Sequence, residues 1–191
     1  VVHWRVRCGD DVPAGGEKAM FVQVIQGKVS DERQLRRCMD RWAEELQPGA
    51  TGYLGSTSGI REDGTFILLV RFESHEDAVR NSERPGQGAW WAETEQCFDG
   101  PVSFMDCPDP MEWLGGGSDD AGFVQIMEGH TTDSDRLREL LTQSGDRLHS
   151  VRPEIIGGMF ASNGDGDYVE AVYFTNESEA REQEIGTVQI G

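Results

Sequence analysis

The run Arg80-Asn81-Ser82-Glu83-Arg84-Pro85-Gly86-Gln87-Gly88-Ala89-Trp90-Trp91 gathers the side chains best suited to holding a flat ligand. Two indoles offer stacking surfaces, and a carboxamide and a guanidinium offer hydrogen bonds. Neighbouring residues on a helix point about 100° apart, so Trp90 and Trp91 cannot occupy one core layer. Trp90 aligns with Thr94, Cys97 and Phe98 at helical spacing and reads as core. Trp91 then points toward a pocket mouth, an inter-copy surface or solvent. Two readings stand side by side: an indole with Asn81 and Arg84 makes a platform for an aromatic ligand, or both indoles anchor their helix.

Gln23 and Gln125 form a second candidate pair, each set among apolar neighbours in a strand. If they face an interior, each buried amide needs a partner, and a ligand or the other Gln can supply it. Strand alternation leaves the inward face open, so a solvated Gln is the competing reading. Arg71 and its counterpart Tyr173 complete the candidate pocket set. Arg71 can hold a carboxylate or enolate oxygen in a two-pronged contact, or pair with Glu73 or another of the many acids. Nothing in this set makes an acid–base pair. The four histidines, His3, His75, His130 and His149, lack HxxxH or HExxH spacing, and no phosphate-cradling Gly-rich turn, GxSxG elbow or Walker loop occurs. No metal and no cofactor is expected.

What positions these residues is an internal repeat. Ala19-Met20-Phe21-Val22-Gln23-Val24-Ile25-Gln26-Gly27 returns as Ala121-Gly122-Phe123-Val124-Gln125-Ile126-Met127-Glu128-Gly129, an offset of 121 − 19 = 102. The same offset pairs Leu35-Arg36 with Leu137-Arg138, Gly55 with Gly157, Asp63-Gly64 with Asp165-Gly166, Phe72 with Phe174 and Ala78 with Ala180. Each copy reads in one order. A β-branched strand (from Phe21 or Phe123) leads to a helix capped near Ser30-Asp31 or Thr132-Asp133. A strand, a Gly turn and another strand follow, and Ser74 or Asn176 caps a second helix. Copy one adds a segment bearing Trp90-Trp91 and a fourth strand over 102–105. The first helix of copy one carries Leu35, Cys38, Met39, Trp42 and Leu46 on one face; copy two keeps Leu137, Leu140, Leu141 and Leu148 but has Ser144 for Trp42.

The expected fold is therefore α+β, two tandem ferredoxin-like β-α-β-β-α-β repeats. Helices cover one face of each sheet, so the sheets are expected to pack on one another as an intramolecular pseudo-dimeric α/β barrel. The divisions are an N-terminal extension over 1–18 that need not join the folded unit, repeat one over 19–107, a Gly- and Asp-rich linker over 108–120, and repeat two over 121–191.

Charge narrows the partners. With 17 Lys and Arg against 35 Asp and Glu, the net charge is −18. Such a surface repels phosphate backbones and anionic bilayers, so neither nucleic acid nor membrane is an expected partner. No apolar run reaches the length of a span, and the first residues carry no signal-peptide core. Cys8, Cys38, Cys97 and Cys107 show no disulfide spacing, which points to the cytoplasm.

On Phe21-Val22-Gln23-Val24-Ile25-Gln26-Gly27 and Val70-Arg71-Phe72-Glu73-Ser74, each opening into a capped helix, the repeat resembles the dimeric α/β-barrel superfamily and its antibiotic-biosynthesis-monooxygenase-like proteins. The resemblance implies kinship with cofactor-independent oxygenases of aromatic polyketides and with haem-degrading enzymes. Their pattern places Asn on the first strand with a Trp and an Arg or His around a pocket between sheet and helices. Here Gln23 and Gln125 stand on that strand. The residues themselves favour a non-catalytic module that binds a small hydrophobic or aromatic ligand or associates with itself, with room for a further homo-oligomer. The resemblance offers a monooxygenase-like enzyme as the alternative.

Copy one ends near Cys107, so copy two should reach 107 + 102 = 209, yet the chain ends at Gly191. Either copy two lacks the Trp-bearing segment and closes with a short strand after Glu184, or residues are missing between Glu184 and Ile185. The second is expected.

Overall fold

Residues 5–8 and 20–186 are described by the computed structural model. The chain divides into two units, Val1–Pro108 and Asp109–Gly191. In unit 1, β1 (Arg5–Cys8), β2 (Phe21–Lys28), α1 (Glu32–Arg41), β3 (Tyr53–Ile60), β4 (Thr65–Phe72), α2 (His75–Ser82), α3 (Pro85–Thr94) and β5 (Ser103–Cys107) follow one another. The sheet order is β1-β3-β4-β2-β5, every pair antiparallel. Strands β2 to β5 thus form the ferredoxin-like sheet read from the sequence.

Unit 2 repeats this with β6 (Met111–Trp113), β7 (Phe123–His130), α4 (Ser134–Val151), β8 (Ile155–Ser162), β9 (Asp167–Phe174) and α5 (Glu177–Gly186), in sheet order β6-β8-β9-β7. The repeat extends to irregularities: the β3–β4 register slips between Tyr53 and Gly55, and β8–β9 slips between Ile155 and Gly157. A bulge kept at equivalent places is a built feature of the unit.

The local reasons for these elements are those the sequence supplies. Asp31, Asp133 and Ser74 accept hydrogen bonds from the backbone N–H groups of Gln34, Arg136 and Asp77 at 2.8, 2.9 and 3.1 Å, and so close the helix starts. Gly64 and Gly166, with φ of 82° and 104°, make the equivalent hairpin turns. The helix-facing core of unit 1 packs Ile25, Leu35, Cys38, Phe66, Leu68, Cys97 and Phe98 together.

Three expectations change. The stretch before Ala19 contributes β1, which pairs with β3, and the linker stretch contributes β6, which pairs with β8. Arg7 lies across from Ser56 and Trp113 from Gly158, so both strands are the same leading element. Composition hides them because each is only three or four residues long and is flanked by Gly, Pro and Asp. Finally, α5 runs unbroken through Glu184 and Ile185, so no gap separates them. A helix propagates one hydrogen bond at a time through the acidic run there. The rest of the expected final strand, 187–191, lies outside the described residues.

Unit 2 also covers its helix less well. Leu140 and Met127, counterparts of the buried Cys38 and Ile25, are 42% and 38% exposed. In unit 1 those places are covered by the segment from α3 to Phe98, which has no equivalent among the described residues of unit 2.

Candidate functional site

Between the helices and sheet of unit 1 lies a cavity of about 250 Å³. Its floor is Gln23, Ile25, Leu68, Val70 and Phe72, residues of one strand parity. The roof comes from Met39 and Trp42 at the end of α1, Asn81 and Ser82 at the end of α2, and Gln87, Trp90 and Trp91 in α3. Aromatic rings make a continuous wall: Phe72, Tyr53, Trp42, Trp90, Trp91 and Phe104 follow one another with centroids 5.9, 5.0, 6.4, 6.0 and 5.3 Å apart. Tilted and edge-on contacts at these separations are the favourable ring geometries.

The indoles are held from behind. Trp90 donates from Nε1 to the Cys38 carbonyl at 2.7 Å, which ties α3 to α1. Trp42, in a π-helical turn over Trp42–Leu46, donates to Gln87 Oε1 at 2.7 Å. Such turns often mark functional positions, because one extra residue per turn redirects a side chain. Pro85 opens α3, where its fixed φ and missing N–H cost nothing.

Asn81 is 7% exposed, and its Oδ1 accepts from Arg84 Nη1 at 2.8 Å. A guanidinium only donates, so this bond fixes the amide and leaves its NH2 as the other end. Arg84 also donates from Nη2 to the Leu46 carbonyl at 2.9 Å, clamping the α2–α3 corner to the end of α1. Gln87 is fixed by the same logic, since the indole that meets its oxygen is a donor. Gln23 donates from Nε2 to Asp106 at 2.8 Å.

No Asp, Glu, His, Lys, Arg or Cys lines this cavity among the described residues. Beside it, burial and the neighbouring Cys38 push the Cys97 thiol up to about 11, so it stays protonated and is no nucleophile at neutral pH. Among the described residues no cluster of His, Cys, Asp or Glu could hold a metal, and no helix is long and apolar enough to cross a membrane.

Of the residues singled out in the sequence, Gln23, Asn81, Trp90 and Trp91 meet at this cavity, while Arg84 braces it from outside. Trp90 is buried and Trp91 half-buried, so one indole is both core and wall. Arg71, Tyr173 and Gln125 are not part of it. Arg71 shares strand parity with Ile67 and Leu69 and is buried on the opposite face of its sheet; Tyr173 has the same place in unit 2. Gln125 lies on the helix-facing side of the second sheet, in line with Phe123 and Met127. The period-2 alternation that separates these residues is visible in the sequence, but which face the helices cover is not. Trp42, Tyr53 and Phe104 escaped the sequence reading, because an aromatic at an apolar position looks like core, and Gln87 stood in the Arg80–Trp91 run without being given a role. The unequal pairing of Trp42 with Ser144 was the available signal.

No protein-family model matches the chain, and a search among curated proteins finds no match. Solved structures do match over both units. One, from Fusobacterium nucleatum and provisionally named a monooxygenase, superposes with a TM-score of 0.69 at 6% identity, covering 90% of this chain and 83% of its own. Another, also provisionally named a monooxygenase, from Lactobacillus acidophilus, gives 0.68 at 12% identity, covering 89% and 83%. A protein described as anthrone oxidase-like gives 0.65 at 8%, covering 92% and 81%. At these identities the likeness is one of fold: the chain shares the tandem ferredoxin-like α+β architecture of these proteins.

Proposed function

From a tandem ferredoxin-like fold with an aromatic-walled cavity in its first unit, we propose that the protein binds one small, flat, uncharged aromatic molecule there. The observation that carries this reading is the run of six rings around a cavity whose polar lining is neutral. A charged ligand would lose its hydration without an opposite charge to replace it, whereas an aromatic carbonyl compound loses little. The Asn81 NH2, oriented by Arg84, supplies the donor that such a carbonyl needs. The volume lies somewhat below the range of roughly 300–1,000 Å³ usual for drug-sized ligands, which favours two or three fused rings.

A second reading is catalytic, and the anthrone oxidase-like neighbour suggests its substrate class. In that reaction an aryl methylene takes up O2 and becomes a carbonyl; one oxygen atom enters the product and the other leaves as water with the two hydrogens. The chain's part would be to exclude water and to hold the developing enolate oxygen against the Asn81 NH2. A lining without Asp, Glu, His, Lys or Cys among the described residues places the first reading ahead.

Titration with 1,4-naphthoquinone, followed by tryptophan fluorescence, tests the binding reading, since three of the five tryptophans wall the cavity. Saturable quenching at micromolar concentration is expected. Quenching that rises linearly without saturation rules the reading out. Incubation with anthrone in air, read as anthraquinone absorbance above the rate without protein, decides the catalytic alternative.

A further inference from the structure

A second cavity, of about 170 Å³, lies on the other side of Trp42, between α1 and β3. It shares Met39, Trp42, Tyr53 and Ser56 with the aromatic cavity, so these four side chains are a common wall. We propose that the two cavities are one bent ligand site, in which the outer part takes a hydroxylated side chain of the molecule whose rings fill the inner part. The proposal rests on the binding reading above and adds the ligand's second half.

The wall can yield. Met39 is half-buried, and a thioether with three rotatable bonds changes shape at little cost. Ser56 accepts from the Tyr53 hydroxyl at 3.0 Å, a bond that a ligand hydroxyl can join. Beyond the wall the lining changes character, with Gln47 and Ser58 offering neutral donors and acceptors. Arg36 and Asp40 stand exposed at the rim with opposite charges, and Arg36 is held by Glu32 at 2.6 Å. Neither sign of ligand charge is favoured, and a hydroxyl suits the lining best.

Unit 2 is the internal control. Ser58 is matched by Phe160, fully buried, with the Arg138 guanidinium 5.3 Å from its ring centroid. Ser56 is matched by Gly158, over which the Trp113 indole lies so closely that a Cβ there would meet it at 2.0 Å. Among the described side chains, the same backbone positions are thus filled in unit 2 and open in unit 1. Filling them is compatible with the fold, so what distinguishes unit 1 at these two positions is the small polar side chains of Ser56 and Ser58.

The test compares 1,4-naphthoquinone with its 2-butyl and 2-(3-hydroxypropyl) derivatives, on the wild-type chain and on Ser58→Phe, which brings in the residue unit 2 already accommodates. In the wild type the hydroxypropyl compound should bind about five- to tenfold tighter than the butyl compound, the worth of one or two hydrogen bonds. In Ser58→Phe the two should bind alike. Equal binding in the wild type, or an advantage that survives in Ser58→Phe, overturns the proposal while the parent quinone still binds. Failure of the parent quinone to saturate the wild type instead overturns the binding reading, and this proposal with it. Should Ser58→Phe not fold, Gln47→Leu repeats the comparison, and an undiminished hydroxypropyl advantage there overturns the proposal equally.

Discussion

In the binding site proposed above, a single hydrogen bond at Asn81 sets which end of the amide a ligand would meet. Arg84 occupies the amide oxygen, so the nitrogen is the end left for a ligand. Asn81→Asp keeps an acceptor for Arg84 but replaces the NH2 with a second carboxylate oxygen. Affinity for 1,4-naphthoquinone should fall about tenfold or more, with the urea midpoint nearly unchanged, because a donor is lost and a like-polarity atom faces the carbonyl. Glu170 makes the opposite kind of point. It stands where unit 1 has the buried Leu68, and burial raises its pKa above the ordinary 4.5. A raised carboxyl favours the protonated form in the folded chain, so it is harmless below the unfolded pKa and becomes a cost as pH rises through the folded one. Glu170→Gln should therefore stabilise the protein at pH 7–8 and lose that advantage toward pH 4, as read by urea unfolding across the pH range. A constant difference between the two proteins would show that desolvation of the carboxylate is not the cause.

Among the elements, the ones with a strong period announce themselves and the short or inserted ones do not. Strands β2 and β7, the capped α1 and α4, and the Gly64 and Gly166 turns all stand where alternation, capping residues and glycine put them. The leading strands β1 and β6 escape because three or four residues show no period, and their pairing partners lie about fifty residues away. The cavity was half legible for a related reason. Asn81, Trp90 and Trp91 stand out as an unusual local run, but Trp42 and Tyr53 become wall residues only once α3 lies across α1. The close fit of β6 is testable at Gly158, the one residue type that leaves room for the Trp113 ring. Gly158→Ala should cost about 1–3 kcal/mol and alter the tryptophan emission, read together in one denaturation series, since overpacking displaces the indole. A silent substitution would mean that β6 sits loosely on β8.

For the whole molecule the dominant number is charge. Even if each of the 17 basic residues pairs with an acid, 35 − 17 = 18 carboxylates remain without a partner of their own. The ion pairs present are mostly at the surface, such as Arg36–Glu32 and Arg136–Glu139, each worth little. Self-repulsion should thus outweigh the screening of these pairs, and raising NaCl from about 20 to 300 mM should raise the melting temperature. A melting temperature that falls with salt would show the pairs to matter more than the excess. The leading strands carry a consequence of a different kind. Arg7 and Trp113 hold the same register on β3 and β8, so the leading strand belongs to the backbone plan of both units while the residue it carries there differs. Two units on one backbone plan need not carry the same side chains. In unit 2 an indole and a phenyl ring occupy the places where unit 1 carries Ser56 and Ser58, so one backbone plan accepts either a filled or a polar lining at the same register.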